Sequence, residues 1–283
     1  MTESEILVAG GGPAGCVAAL GLQRMGYRVT LLHWPRPWPS CEGISARTLD
    51  GLRRAGLEGT AARVPTATPR NAHWNGENNA ANGEHLVLRE DFDAALLEDV
   101  RAAGVNTLPA RLRKVRRSGT QALEIELSGG AAPEQLRCGF LVDARGRGSA
   151  APAAADLRGP GTVSLLQLRQ TGTDVAGSGV SGFEDGWAWI ASPGDGLNFV
   201  QLTLDAAATD LPKRAALDRW LEQRLRQIPS TTDLARGSKP VSEVIARGST
   251  SVLRGELVQE RQLRIGDAAM AVDPLSGNGI FQA

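Results

Sequence analysis

Glu5 to Ala9 is a short apolar run that ends in Gly10, Gly11 and Gly12, a pattern that predicts a buried strand meeting a tight turn. Small and apolar residues then recur at helical spacing from Pro13 to Met25, through Ala14, Val17, Ala18 and Leu22, with Gly26 as the stop. Arg28 to Leu32 predicts a second strand, so the chain opens with a βαβ unit. Pro35, Pro37 and Pro39 mark the loop from Trp34 to Cys41, and Ser45 is the expected N-cap of a helix running to Ala55. Residues 59–85 carry no clear period and predict irregular strands and loops. Asp91 to Ala103 predicts a helix capped by Asp91 and ended by Gly104. Short β-runs at 112–116, 122–127 and 135–138 predict a meander, followed by a separate return strand at 141–144. The Ala, Pro and Gly-rich stretch 150–161 reads as a crossing between domains. Strand patterns resume at 162–169, 186–191 and 197–204, a helix is expected over 213–226, and 262–265 leads back into Gly266-Asp267.

Charge narrows the function classes. Lys+Arg and Asp+Glu both number 31 in 283 residues, so no net charge draws the protein to nucleic acid or anionic lipid. The basic cluster Arg111, Arg113, Lys114, Arg116 and Arg117 is interrupted by Leu112 and Val115 and reads as the solvated face of a surface strand. Cys16, Cys41 and Cys138 are odd in number and widely spaced, which predicts no disulfide framework. No run of 18 apolar residues and no secretory leader pattern is present, so a cytoplasmic location without a transmembrane segment is expected. His33, His73 and His85 form no pair at metal-ligand spacing, and no metal site is expected.

The opening turn is the first element that carries chemistry. Gly10-x-Gly12-x-x-Gly15, with Pro13 and Ala14 inside it, follows a strand and opens a helix, as a dinucleotide fingerprint requires. Gly10 permits the turn, Gly12 lets backbone approach a pyrophosphate, and Gly15 lets helix and strand pack closely. The helix N-terminus adds partial positive charge. The end of the second strand usually carries an acidic residue for a ribose hydroxyl. Here it is His33, whose neutral imidazole can accept the same hydrogen bond more weakly.

Four later segments, taken with this turn, resemble the flavoprotein group that contains geranylgeranyl reductases, flavin-dependent halogenases and related monooxygenases. They are Cys41-Glu42-Gly43-Ile44-Ser45-Ala46-Arg47, Leu88-Arg89-Glu90-Asp91-Phe92-Asp93, Val142-Asp143-Ala144-Arg145-Gly146-Arg147-Gly148-Ser149, and Gly266-Asp267-Ala268-Ala269 with Asp273-Pro274-Leu275-Ser276-Gly277-Asn278-Gly279. The resemblance implies FAD as cofactor, with Arg89 touching it. It also implies that Gly266 and Asp267 lie at the ribityl chain, and that Pro274, Gly277, Asn278 and Gly279 run along the isoalloxazine. It implies an α/β fold: a Rossmann-type FAD-binding parallel sheet with a β-meander crossover, plus a mostly antiparallel substrate-domain sheet. The corresponding domains are 1–58, 86–158 and 255–283 for FAD, and 59–85 and 159–254 for substrate. The group's last motif opens a long helix, so the resemblance places further substrate-domain sequence beyond Ala283, or else marks a truncated copy that binds flavin poorly.

Within that group, the expected activity is monooxygenation of an indole- or phenol-like ring, in a small molecule or a peptide, through a flavin hydroperoxide. Trp187-Ala188-Trp189-Ile190-Ala191 is close to the halogenases' W-x-W-x-I-P. However, no lysine stands between Cys41 and Arg113 to serve as their carrier, and a guanidinium cannot replace it. Reduction of an isoprenoid double bond is the alternative. Arg145-Gly146 stands where hydroxylases that take NADPH directly carry Asp-Gly, which leaves NAD(P)H or a partner flavin reductase as electron source. Glu42 and His73 are the candidate acid–base groups, with a plain surface role as the competing reading for each.

Overall fold

The computed structural model of the chain describes residues 2–118, 122–130, 133–149, 154–207, 210–228, 237–277 and 279–282, with Thr2, Glu3 and Ser118 described by backbone alone. Asn278 and the part of the expected domain crossing at 150–153 lie outside the described residues.

The chain runs β1 (Thr2–Ala9), α1 (Pro13–Arg24), β2 (Val29–His33), β3 (Cys41–Ile44), α2 (Ala46–Ala55), α3 (Glu58–Ala62), β4 (Thr68–Trp74), β5 (Glu77–Leu88) and α4 (Arg89–Ala102). β6 (Asn106–Pro109), β7 (Arg111–Ser118), β8 (Ala122–Ser128) and β9 (Gln135–Asp143) follow. Five strands lie parallel or near-parallel neighbours in the order β9-β1-β2-β6 with a late strand on the outer edge of β9, and β7 and β8 form the meander that reaches β9. β1 is apolar on both faces because both are covered. Ile6 and Val8 pack towards α1 and α4, while Leu7 and Ala9 pack against Leu123, Ile125 and Leu127 of the meander. Each fully buried leucine here contributes about 2 kcal/mol.

The second half comprises β10 (Leu157–Arg158), β11 (Thr162–Gln170), β12 (Gly177–Phe183), β13 (Gly186–Ser192), β14 (Leu197–Asp205), α5 (Leu217–Leu225), β15 (Lys239–Pro240) and β16 (Ile245–Gly248). β17 (Val252–Leu253), β18 (Val258–Gln259), β19 (Gln262–Arg264), β20 (Met270–Ala271) and α6 (Gly279–Gln282) complete it. β19 is the late strand, parallel to β9. A second sheet runs β15-β11-β14-β13-β12-β4-β5-β3 with β16 on β11, antiparallel except where β12 meets β4.

Several expectations need correction. Residues 59–85 are not irregular: they hold α3 and most of the β4–β5 hairpin, whose strands are largely exposed and so show no apolar alternation. α4 begins at Arg89 with Leu88 at its N-cap, because β5 runs straight into the helix. Asp91 is a first-turn residue rather than the cap, and its charge suits the positive helix end. The predicted runs 135–138 and 141–144 are one strand, β9, which pairs with β8 near its start and with β19 near its end. The helix at 213–226 opens as a 3-10 turn over Arg214–Ala216 before α5. Ser45 does cap α2, its Oγ accepting from the Thr48 N–H at 3.2 Å. The basic cluster lies on β7, with Arg116 and Arg117 exposed and in loose ion pairs with Glu126 and Glu260.

Candidate functional site

The carboxyl ends of the parallel strands converge. Gly10 follows β1, His33 ends β2, Ala144 follows β9, and Ile265-Gly266 follows β19, so all four meet on the edge where open α/β sheets bind ligands. Gly10 has φ +122°, and a side chain there would enter the Ala144 carbonyl. At Gly15 an added Cβ would enter the Gly10 carbonyl oxygen, so helix and turn touch backbone to backbone. Gly12 is different: the nearest atom to a Cβ there is an Arg89 Nη at 3.9 Å, which leaves open space before the turn. Gly12 is the N-cap of α1 and its side-chain-free cap leaves the first-turn amides, those of Ala14 and Gly15, without a capping acceptor.

Next to this turn, Arg89 is 4 % exposed and donates to Asp93 at 2.7 and 3.1 Å and to Glu42. Burial alone would lower its pKa, but Glu42 and Asp93 outweigh burial and raise it, so the cation is permanent. His33 sits at the end of β2 with Nε2 3.3 Å from an Arg101 Nη. Burial and then Arg101 lower its pKa, which holds the imidazole neutral; with Nε2 accepting from Arg101, Nδ1–H is the nitrogen left to donate to a hydroxyl. Trp34 turns away to the meander, beneath Arg111.

Asp143 is fully buried at the end of β9. Arg145 clamps both its carboxylate oxygens at 2.8–2.9 Å, so this guanidinium is committed locally rather than presented to a nucleotide. Arg147 ties four segments together. Its guanidinium donates to the carbonyls of Ser249 (3.1 Å), Thr250 (3.0 Å) and Val272, and its Nε lies 3.6 Å from Asp267. Asp267 follows Gly266 (φ +55°), and burial raises its pKa against the opposing pull of Arg147. Gly12 follows β1 and Asp267 follows β19, so the two stand at the same carboxyl edge of one sheet, where the charges of Glu42 and Arg89 also reach Asp267. Downstream, Asp273 caps a 3-10 turn beginning at Pro274, Gly277 takes φ +61°, and no atom lies within 4 Å of a Cβ at Gly277 or Gly279. Phe281 of α6 stacks under Arg47, 4.2 Å from its centroid.

The second sheet has two unlike faces. Leu165, Ala188, Ile190, Val200, Leu202 and Leu204 pack on Leu217, Leu221 and Leu225 of α5. Alternation puts Trp187, Trp189, Phe199, Gln201, Thr203 and Ser164 on the opposite face. That face turns to the cofactor cleft: Trp189 and Phe199 pack with Cys41, Leu86 and Leu88, close beside Glu42. Glu84, buried, accepts from the Trp189 Nε1–H at 3.3 Å and from the Ser178 hydroxyl, and a Cβ on Gly43 would strike its carboxylate.

The structure thus brings Gly10, Gly12, Pro13, Ala14, Gly15, His33, Arg89 and Glu42 to the same edge as Gly266, Asp267, Pro274, Gly277 and Gly279. Glu42 is engaged with Arg89. His73 is placed elsewhere, at the tip of the β4–β5 hairpin with its Nδ1 2.7 Å from Asn78 Oδ1. Sequence reasoning missed Arg147, Glu84 and Arg247. The first lies inside the glycine-rich motif after β9, whose spacing says nothing of carbonyls a hundred residues away. The second lies in a stretch too polar to show a period. Burial raises the thiol pKa of Cys16 and Cys138 to about 12 and that of Cys41 further, so none is a nucleophile. Among the described residues no cluster of His, Cys, Asp or Glu could hold a metal, and no helix is long and apolar enough to cross a membrane.

An uncapped helix start facing open space, a half-exposed carboxylate in Asp267 and two unobstructed glycines beyond it fit an extended dinucleotide carrying a flat ring. Comparison with known proteins agrees. Residues 3–283 match the FAD binding domain family. The chain is 28 % identical, over 98 % of its length and 73 % of the relative's, to digeranylgeranylglycerophospholipid reductase 2 of Methanopyrus kandleri. Among solved structures it is 42 % identical (TM-score 0.88) to QhpG, a peptidyl tryptophan dihydroxylase essential for tryptophylquinone cofactor biogenesis. That match covers 99 % of this chain and 64 % of QhpG. The halogenase CmlS shares the fold at TM-score 0.84 and 23 % identity, covering 100 % of this chain and 56 % of its own.

Proposed function

From the premise that this chain belongs to the FAD binding domain family, we propose that it is an FAD-dependent monooxygenase. Its substrate is an indole- or phenol-like ring, carried on a small molecule or in a peptide. The observation that carries this reading is the aromatic and polar face of the second sheet, with Trp189 and Phe199 turned towards the flavin edge of the first. The 42 % identity to a protein that acts on peptidyl tryptophan supports it.

The α1 amides and the Gly10–Gly15 turn would hold the pyrophosphate of FAD, and Arg89 would add a fixed cation beside it. His33, its Nε2 taken by Arg101, would donate from Nδ1–H to a ribose hydroxyl. Asp267, steadied by Arg147, would accept from hydroxyls of the ribityl chain, and Pro274, Gly277 and Gly279 would line the ring system. FAD, when bound, supplies the redox chemistry with oxygen. The protein's part is to seat the aromatic substrate against Trp189 and Phe199, and to exclude water by closing the two sheets over it. Electrons come from NAD(P)H or from a partner flavin reductase. Mixing the FAD-loaded protein with NADH or NADPH decides between them, because rapid bleaching without a partner removes the need for one.

A double-bond reductase reading, prompted by the 28 % relative, fits this face less well. Ser164 and Thr203 are buried there and hydrogen-bonded to each other at 2.8 Å, and an isoprenoid chain would strip water from the half-buried Gln201 amide beside them without a replacement bond. The test is incubation of the FAD-loaded protein with a reductant, air and tryptophan-containing peptides or phenols, scored by mass. Gain of oxygen atoms that depends on air is expected. Anaerobic reduction of an alkene, with no oxygen gain, would overturn the proposal in favour of the reductase.

A further inference from the structure

Arg247 lies on β16, in register with Ser164, and so on the same aromatic and polar face, in one cross-strand row with Thr203 and Trp187. Three strand spacings separate Arg247 from Trp187, about 14 Å between backbones. Its guanidinium stacks on Trp38, 3.8 Å from the ring centroid, in the loop that joins β2 to β3. Most other inward-turned arginines here are neutralised: Arg89 by Glu42 and Asp93, Arg145 by Asp143, Arg147 by Asp267, Arg36 by Asp93. Among the described residues no carboxylate lies within 4 Å of Arg247. Burial and then the nearby Arg36 push its pKa down, and no anion offsets them. A half-buried cation of this kind favours an anion brought to it.

We propose that Arg247, braced on Trp38, is an anion subsite that seats a carboxylate carried by the aromatic substrate. The inference rests on the aromatic-substrate reading above and sharpens it. The carboxylate belongs either to a free aromatic acid or to an acidic residue flanking the aromatic side chain in a peptide. The chemistry of recognition is the same for both. Stacking on Trp38 fixes the guanidinium plane, so its edge, with two parallel N–H groups, is free to meet a carboxylate.

Calorimetric titration of the FAD-loaded protein tests this with two matched probe pairs: indole-3-acetate against indole-3-acetamide, and blocked aspartyl-tryptophan amide against its asparaginyl counterpart. The acid of at least one pair is expected to bind about tenfold tighter than its neutral partner. That preference should vanish in Arg247→Gln, persist in Arg247→Lys, and shrink with added salt in the unmutated protein. Preference within the first pair identifies a free acid, and within the second an acidic peptide. If both members of each pair bind equally, the subsite is overturned while the aromatic reading stands. A preference that survives in Arg247→Gln overturns Arg247 as its seat. If no probe binds the unmutated protein, the aromatic reading fails and the subsite with it. Should Arg247→Gln melt before the titration, the salt dependence of the preference in the unmutated protein decides: a preference indifferent to salt overturns the proposal.

Discussion

At Gly10 and Gly15 the missing side chain is enforced by backbone on the far side of the contact, whereas at Gly277 and Gly279 there is nothing within 4 Å to enforce it. The phosphate end of the cleft is therefore a packed joint, continuous with the core through Ala14, Cys16 and Ala144. The ring end is an open shelf whose order depends on Arg147 and on the short α6. A ligand meets a preformed surface at one end and an adjustable one at the other. Substitutions should accordingly act on stability at the first and on ligand geometry at the second.

Gly15→Ala probes the packed joint and carries the largest expected effect. An unavoidable collision with the Gly10 carbonyl should cost about 3 kcal/mol in denaturant unfolding and abolish FAD retention. A stable, yellow variant would show that the joint yields to a methyl group. Arg147→Gln comes next, at about 2 kcal/mol, since three carbonyl acceptors and Asp267 lose a charged donor. FAD affinity should fall with stability, and an intact affinity would mean that Asp267 needs no brace. Gly277→Ala should cost about 1 kcal/mol, because φ +61° strains an L-residue even with space around it. Flavin absorbance and fluorescence should shift more than the melting point does.

The smallest effect concerns pH. The His33 pKa is lowered on folding by burial and Arg101, so the folded state binds fewer protons than the unfolded state just below the ordinary value of 6.5. The associated stability is fully present above pH 6.5 and is lost as pH falls from there towards the lowered pKa. Melting curves across that window should fall more steeply for the natural protein than for His33→Gln. Parallel curves would mean that His33 titrates as it does in the unfolded chain.

Legibility from sequence followed burial. β1, the glycine turn and α1 were readable because continuous apolar residues and forced glycines leave a local signature. The β4–β5 hairpin was not, since residues 77–83 are exposed and carry Asn, Ala and Gly with no apolar face. β12 reads Gly-Ser-Gly-Val-Ser-Gly-Phe, a poor strand by propensity, yet Gly182 has no side chain because Trp74 lies over it, and Ser178 serves Glu84. The motifs also marked the two ends of the cleft without revealing what steadies them. Arg147 gains its meaning from carbonyls at 249, 250 and 272, and Arg247 from a tryptophan two hundred positions earlier in a different layer. Such contacts are products of topology, and no local spacing encodes them.

Strand β9 has a consequence for the order of assembly. Its outer edge takes β8 from the adjacent meander, but Leu141 waits for Gln262, which leaves the ribosome long afterwards. The N-terminal layer can thus condense early from near neighbours, while β19, and with it Gly266 and Asp267, must be delivered across a large loop whose closure is slow. The cleft is finished from its glycine turn outward. In refolding from denaturant, protection of β1 amides should precede the competence to retain flavin.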